Sequence, residues 1–315
     1  MYFIAQEGEL IIKKSKALIK ERSLSQRFEE RMEMEVKRKR KRKKLFIAVS
    51  AVLMIYAATM LIPIYFVVIN SLKRPLQFYE NPWTLPKVLY LANYRFVFQL
   101  SVGEVSIFRM YINSIIFTVA STLISCAATT VTAYTAARFD FRGKGLLVSI
   151  GIGAMLIPDL GSRSVIYKMY VDLNMIDTWF ILIQYATPFG IMFLIAYSLF
   201  KTVSKTYAEA AKIDGASELR IFVQIMIPMA KGVIGMMMVM SAIGAWNDYY
   251  TPYMYLPSVK TLALGIQELS EEAQTYSNFT ELYAAMVVAI LPVVILFVCM
   301  RETIINNAVA GGLKG

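Results

Sequence analysis

The residues of this chain that could do chemistry are few, and the types it lacks exclude whole classes of function. There is no histidine, which rules out imidazole acid–base catalysis, histidine metal ligation and a Ser-His-Asp triad. The two cysteines, Cys126 and Cys299, lie far apart, each inside an apolar run. They read as packing residues rather than as a disulfide or a metal site. No G-x-x-x-x-G-K-[ST] stretch occurs, so any ATP the protein depends on is held by another chain. What remains is recognition chemistry. Trp246, Asn247, Asp248 and Tyr249 place hydrogen-bonding groups beside aromatic faces, a combination suited to a hydroxyl-rich solute. A helix-end cap in an interfacial aromatic belt is the competing use. Asn113, Gln184 and Tyr185 are polar groups at or within apolar runs, available to line a passage or to bond between packed helices.

These residues need elements to hold them. With 57% hydrophobic and only 17% charged residues and a mean hydropathy of +0.53, the chain is too apolar for a soluble domain of its length and reads as an all-α membrane protein. A crossing helix needs about 20 apolar residues. Six spans are expected, over residues 45–70, 110–136, 146–167, 180–200, 232–250 and 282–300. The first and fourth are uninterrupted. The second is rich in Ser and Thr, which suits a helix facing other helices or a wet path. The third is broken by "PDLGSR". With an inside N-terminus, the inner segments hold 25 Lys and Arg and the outer ones 8, so both termini of a multi-pass protein are expected in the cytoplasm. This gives a cytoplasmic tail (1–44), a membrane domain (45–300) and a short cytoplasmic ending (301–315). The eight consecutive basic residues Lys37 to Lys44 abut the first span and read as an anchor on anionic headgroups, not a nucleic-acid patch. Leu24, Phe28, Met32 and Val36 recur every four residues and suggest an amphipathic helix. No cleavable signal peptide is expected, because 44 residues, most of them polar, precede the first span.

The longest inner loop, 201–231, contains "EAAKIDGASELRIFVQIMIP", Glu209 to Pro228. Strong helix formers, then Gly215, then renewed helical spacing predict a helix-turn-helix in which Gly215 takes the left-handed turn. Small alanines at 208, 210, 211 and 216 suit close approach by a partner's backbone.

Glu209-Ala210-Ala211, then Gly215 six residues after the Glu, Ile225 and Pro228 resemble the E-A-A-x(3)-G-x(9)-I-x-L-P loop of ATP-binding-cassette importer permeases, with Ile227 in place of Leu. "NYRFVF", "YINSIIFT", "AARFDFRGKGLL", "WNDYYTPYMYL" and the ending "AGGLKG" resemble the second of the two permeases of maltose-type carbohydrate importers. The proline that usually precedes the loop helix is missing ("VSKTYAEAA"). The resemblance implies a type I importer permease with six transmembrane helices and no cofactor of its own, ATP and Mg being bound by the partner. It implies a second homologous permease, two ATPase subunits and an extracytoplasmic solute-binding protein as partners. Glu209, Ala210, Ala211, Asp214, Gly215, Ile225 and Pro228 would couple to the ATPase, and Gly311, Gly312, Lys314 and Gly315 would form a second ATPase contact. A sugar or oligosaccharide is the expected solute, with a polyol, glycerol phosphate or uronate oligomer as the alternative and a membrane receptor as a rival class.

Overall fold

The computed structural model describes residues 41–156 and 161–312 together with Met34, Arg38 and Lys39, and for Ala154 and residues 303–312 the backbone alone. The stretch through Leu24, Phe28, Met32 and Val36, the basic residues Lys37 and Arg40, and Lys314 and Gly315 lie outside the described residues. Two units are distinguished, one ending at Tyr65 and one running from Phe66 onward.

Helix α1, Lys41–Ser71, has 31 residues, roughly 46 Å at 1.5 Å per residue. In the first unit its apolar side chains, among them Leu53, Ile55, Tyr56 and Leu61, are exposed. A helix apolar on every side has hydrocarbon or other apolar chains for its solvent.

The second unit opens on a polar knot at the end of α1. Asn93 Nδ2 donates to the carbonyls of Ser71 and Lys73, both at 2.8 Å. The fully buried Lys73 donates from Nζ to the carbonyls of Asn81 and Pro82 at 3.1 and 2.8 Å. Two short helices, α2 (Pro75–Glu80) and α3 (Ala92–Gln99), and a two-residue antiparallel ladder, β1 (Ser101–Val102) with β2 (Val105–Ser106), lead into α4, Ile107–Arg138. Ser106 Oγ accepts the Arg109 N–H at 3.4 Å to start α4, and Arg138 stands in its last turn, where a cation complements the helix dipole.

Helix α4 runs through all three apolar clusters of the unit. Met110 packs with Leu269 and Leu282, Phe117 with Ile181 and Tyr255, and Tyr134 with Phe200 and Ile221. Its Ser121, Thr122, Thr129 and Thr130 are buried, so the hydroxyl-rich face is turned to neighbouring helices, where small side chains allow close packing.

The chain continues through α5 (Lys144–Ala154), α6 (Ser162–Asp172), a 3-10 turn (Trp179–Tyr185), α7 (Ile191–Thr202), α8 (Thr206–Ile213), α9 (Glu218–Met229), α10 (Lys231–Trp246), α11 (Tyr250–Tyr255), α12 (Leu262–Tyr276) and α13 (Phe279–Gly312). Among the described residues three helices are long and apolar enough to cross a membrane alone, in α1, α4 and α13, matching the first, second and sixth expected spans. The fifth expected span falls on α10, which follows α9 across a bend of 79°.

The expectation of an unbroken helix over 180–200 is corrected. The 3-10 turn and α7 are separated by residues 186–190, because Pro188 donates no N–H and steers Thr187 away from helical backbone. The third expected span is divided as well, between α5 and α6, with Gly161 at φ +82° in the left-handed region that glycine tolerates. At 11 residues, α5 reaches about 16 Å, half the hydrocarbon thickness. Beyond the expected end of the sixth span at Met300, α13 stays helical through Gly311 and Gly312.

Candidate functional site

The inner loop closes by backbone geometry before any side chain contributes. At the end of α8 the Gly215 N–H donates to the Lys212 carbonyl at 3.0 Å and the Ala216 N–H to the Ala211 carbonyl at 2.9 Å. These are the paired bonds of a Schellman ending, with Gly215 at φ +79° as the left-handed residue. Ser217 then caps α9, its Oγ accepting the Arg220 N–H at 3.3 Å, and Lys212 forms an ion pair with Glu218 across the turn. The hydrogen bond and charge of Glu218 hold the Lys212 ammonium above its ordinary pKa. Where the resembling family carries a proline ahead of the loop helix, Ser204 Oγ accepts the Thr206 N–H at 3.2 Å and shapes the entry to α8.

The alanines are divided between two faces. Ala208, Ala211 and Ala216 pack against the chain's own cluster at this end, so the close approach their size permits is made by α4, α7 and α9. Ala210 faces outward, with exposed Glu209 and Asp214 beside it and Ile213 at the tip, 87% exposed. Ile225 is half-buried in a π-turn, Phe222–Met226, where the Ile227 N–H reaches five residues back to the Phe222 carbonyl. Pro228 follows directly, and with no N–H of its own it makes that widened turn and the bend toward α10 favourable.

Two residues of α4 that spacing alone did not single out tie this loop to the bundle. The Tyr134 ring lies 4.7 Å from that of Phe222 and meets Phe200 edge-on at 5.5 Å. Arg138 donates from Nη2 to the Val203 carbonyl at 2.8 Å and stands 3.8 Å from Met226 Sδ. The available signal was a basic residue closing a long apolar helix, inside the stretch "AARFDFRGKGLL". Lys73 was likewise counted as an outer-loop charge, although it is a buried ammonium held by two carbonyls.

The second set of expected site residues is distributed differently. Tyr185 Oη donates to Asp248 Oδ2 at 2.6 Å, and Asp248 Oδ1 accepts the Thr251 N–H at 3.0 Å, so the carboxylate caps α11 and clasps the 3-10 turn at once. Trp246 Nε1 donates to the Ala289 carbonyl at 3.2 Å and Asn113 Nδ2 to the Lys260 carbonyl at 2.9 Å. Asn247 Nδ2 bonds the Ile243 carbonyl in its own helix at 2.8 Å. Buried Gln184 Nε2 has no hydrogen-bond partner. Asn247 and Tyr249 are exposed, and Asn247 lies on a cleft of about 310 Å³ whose other walls include Trp246, Leu262, Ile266, Met286 and Val293.

Residues 32–304 match the family model described as the binding-protein-dependent transport system inner membrane component. The chain belongs to that family. It is therefore the membrane subunit of an uptake system that works with a binding protein, and not an enzyme. Among curated relatives, this permease is 27% identical to the arabinooligosaccharides transport system permease AraQ of Bacillus subtilis, over 85% of this chain and 96% of the relative. It is 29% identical to the melibiose/raffinose/stachyose import permease MelC of the same organism, over 83% and 94%. A solved bacterial ABC transporter involved in import of the acidic polysaccharide alginate shares the fold, with a TM-score of 0.69 at 24% identity, over 82% of this chain and 96% of that one.

Proposed function

We propose that this permease carries a sugar or oligosaccharide across the bacterial cytoplasmic membrane as half of an alternating-access path, paired with a second, homologous permease. Two separate ATPase subunits, which hold the ATP and Mg, drive the cycle, and both termini face the cytoplasm with them. Support for the solute class comes from relatives named for arabinooligosaccharide and for melibiose, raffinose and stachyose transport. It also comes from the exposed Asn247 and the half-buried Trp246 on the cleft, amide and aromatic groups of the kind that suit a hydroxyl-rich solute.

One observation carries the coupling role. The loop that projects Glu209, Ala210, Ile213 and Asp214 is closed by its own backbone and seated on the bundle by its alanines, so a force applied at the tip moves the seat instead of deforming the turn. Gly311, Gly312, Lys314 and Gly315 are assigned a second contact with the ATPase. The test compares Glu209→Lys and Gly215→Asp with wild type for membrane insertion, recovery of the ATPase with the permease, and solute uptake. Normal insertion with loss of both other properties is expected; wild-type uptake by both variants contradicts the assignment.

A further inference from the structure

We infer that α4 is the connecting rod of this permease and that Arg138 is the positioning residue at its driven end, an inference that rests on the coupling role proposed for the inner loop. The helix is clasped at both ends. At one end Tyr134 lies on Phe222 and against Phe200, and Arg138 reaches past them to the carbonyl of Val203, the residue that ends α7 at the start of the loop. At the other end Asn113 donates to the Lys260 carbonyl and Ser114 Oγ accepts the Leu262 N–H at 2.7 Å, pinning the entry of α12.

From Asn113 to Arg138 the helix runs uninterrupted for 25 residue steps, about 38 Å at 1.5 Å per residue. No proline or glycine interrupts the helix, and its middle is packed in the cluster around Phe117. An element of that stiffness moves as one piece. The fourth span, broken at Ala186–Gly190, and the third, divided between α5 and α6, cannot transmit a displacement end to end in that way.

Arg138 suits the driven end. Its guanidinium donates in a fixed fork, one Nη2–H to the Val203 carbonyl and one toward Met226 Sδ. Its Nε is buried without a partner, a donor left over for a second arrangement of the same elements. A movement of α8 and α9 therefore shifts Val203 and Phe222 together, and both pull on the last turn of α4.

The experiment uses the complete transport system in membranes and reads three quantities for each variant: ATPase recovered with the permease, ATP hydrolysis, and uptake of the transported solute. For Arg138→Met the expected result is normal ATPase recovery and hydrolysis with uptake reduced about tenfold or more, so that the ratio of solute moved to ATP hydrolysed falls. Arg138→Lys, which keeps charge and one donor, restores part of that ratio. Should Arg138→Met accumulate poorly, Arg138→Gln is read in its place, and Tyr134→Leu provides an independent break at the Phe222 contact. Unchanged uptake in Arg138→Met or its Gln substitute overturns the inference. So does a parallel loss of ATPase recovery, because Arg138 would then only shape the loop. If the wild-type permease recovers no ATPase at all, it is the coupling reading that fails, independently of α4.

Discussion

The inner loop and the polar cluster around Asp248 are built from similar residue types and put them to opposite uses. Around Asp248 the carboxylate, the phenol of Tyr185, the Trp246 indole and the Asn113 amide are consumed in bonds to one another or to the chain's own carbonyls. In the loop the backbone satisfies itself through the Gly215 turn, and Glu209, Asp214 and Ile213 are left exposed. Availability, more than residue type, separates a surface that grips a partner from a joint that holds a bundle together.

The strongest way to break this contrast is to spoil the exposed tip. Ile213→Asp should lower ATPase recovery by about 30-fold, the effect of removing an interfacial anchor worth roughly 2 kcal/mol, while the thermal unfolding midpoint of the purified permease stays unchanged. The complementary change lies in the joint. Tyr185→Phe leaves Asp248 Oδ2 without its donor, costing about 1–3 kcal/mol, so differential scanning fluorimetry should show a lower midpoint while ATPase recovery stays at the wild-type level. Next in size is Ser217→Ala, which removes a helix cap worth about 1 kcal/mol and should weaken ATPase binding several-fold without affecting the bundle. The smallest effect is that of pH. Glu218 raises the Lys212 pKa, so the stability this contributes is present below the ordinary lysine value and is lost only as pH rises through the raised one. ATPase recovery should therefore be flat between pH 6 and pH 8 as far as this pair is concerned.

The loop was legible in the sequence because its determinants are local. Gly215 six residues after Glu209 predicts a left-handed turn, and it stands at φ +79°. Long apolar runs predicted α1, α4 and α13 for the same reason. Hydropathy could not show the break after Tyr185, since Thr187 and Pro188 barely lower an apolar average while changing the backbone decisively. Nor could it show that Ala208, Ala211 and Ala216 face inward while Ala210 faces out, because that depends on α4 and α7 arriving from elsewhere in the chain. Arg138 escaped notice because the same residue type at a helix end serves insertion and packing equally, and only the partner atoms, the Val203 carbonyl and Met226 Sδ, decide between them.

The central claim is that the tip of α8 is where a nucleotide-driven partner takes hold. The most direct measurement places a photo-crosslinking residue at position 213 in membranes containing the working transport system and identifies what it captures. The account predicts capture of the ATPase subunit from the cytoplasmic side; uptake that proceeds normally while position 213 captures no ATPase, or reacts only with probes supplied from outside the cell, would contradict it.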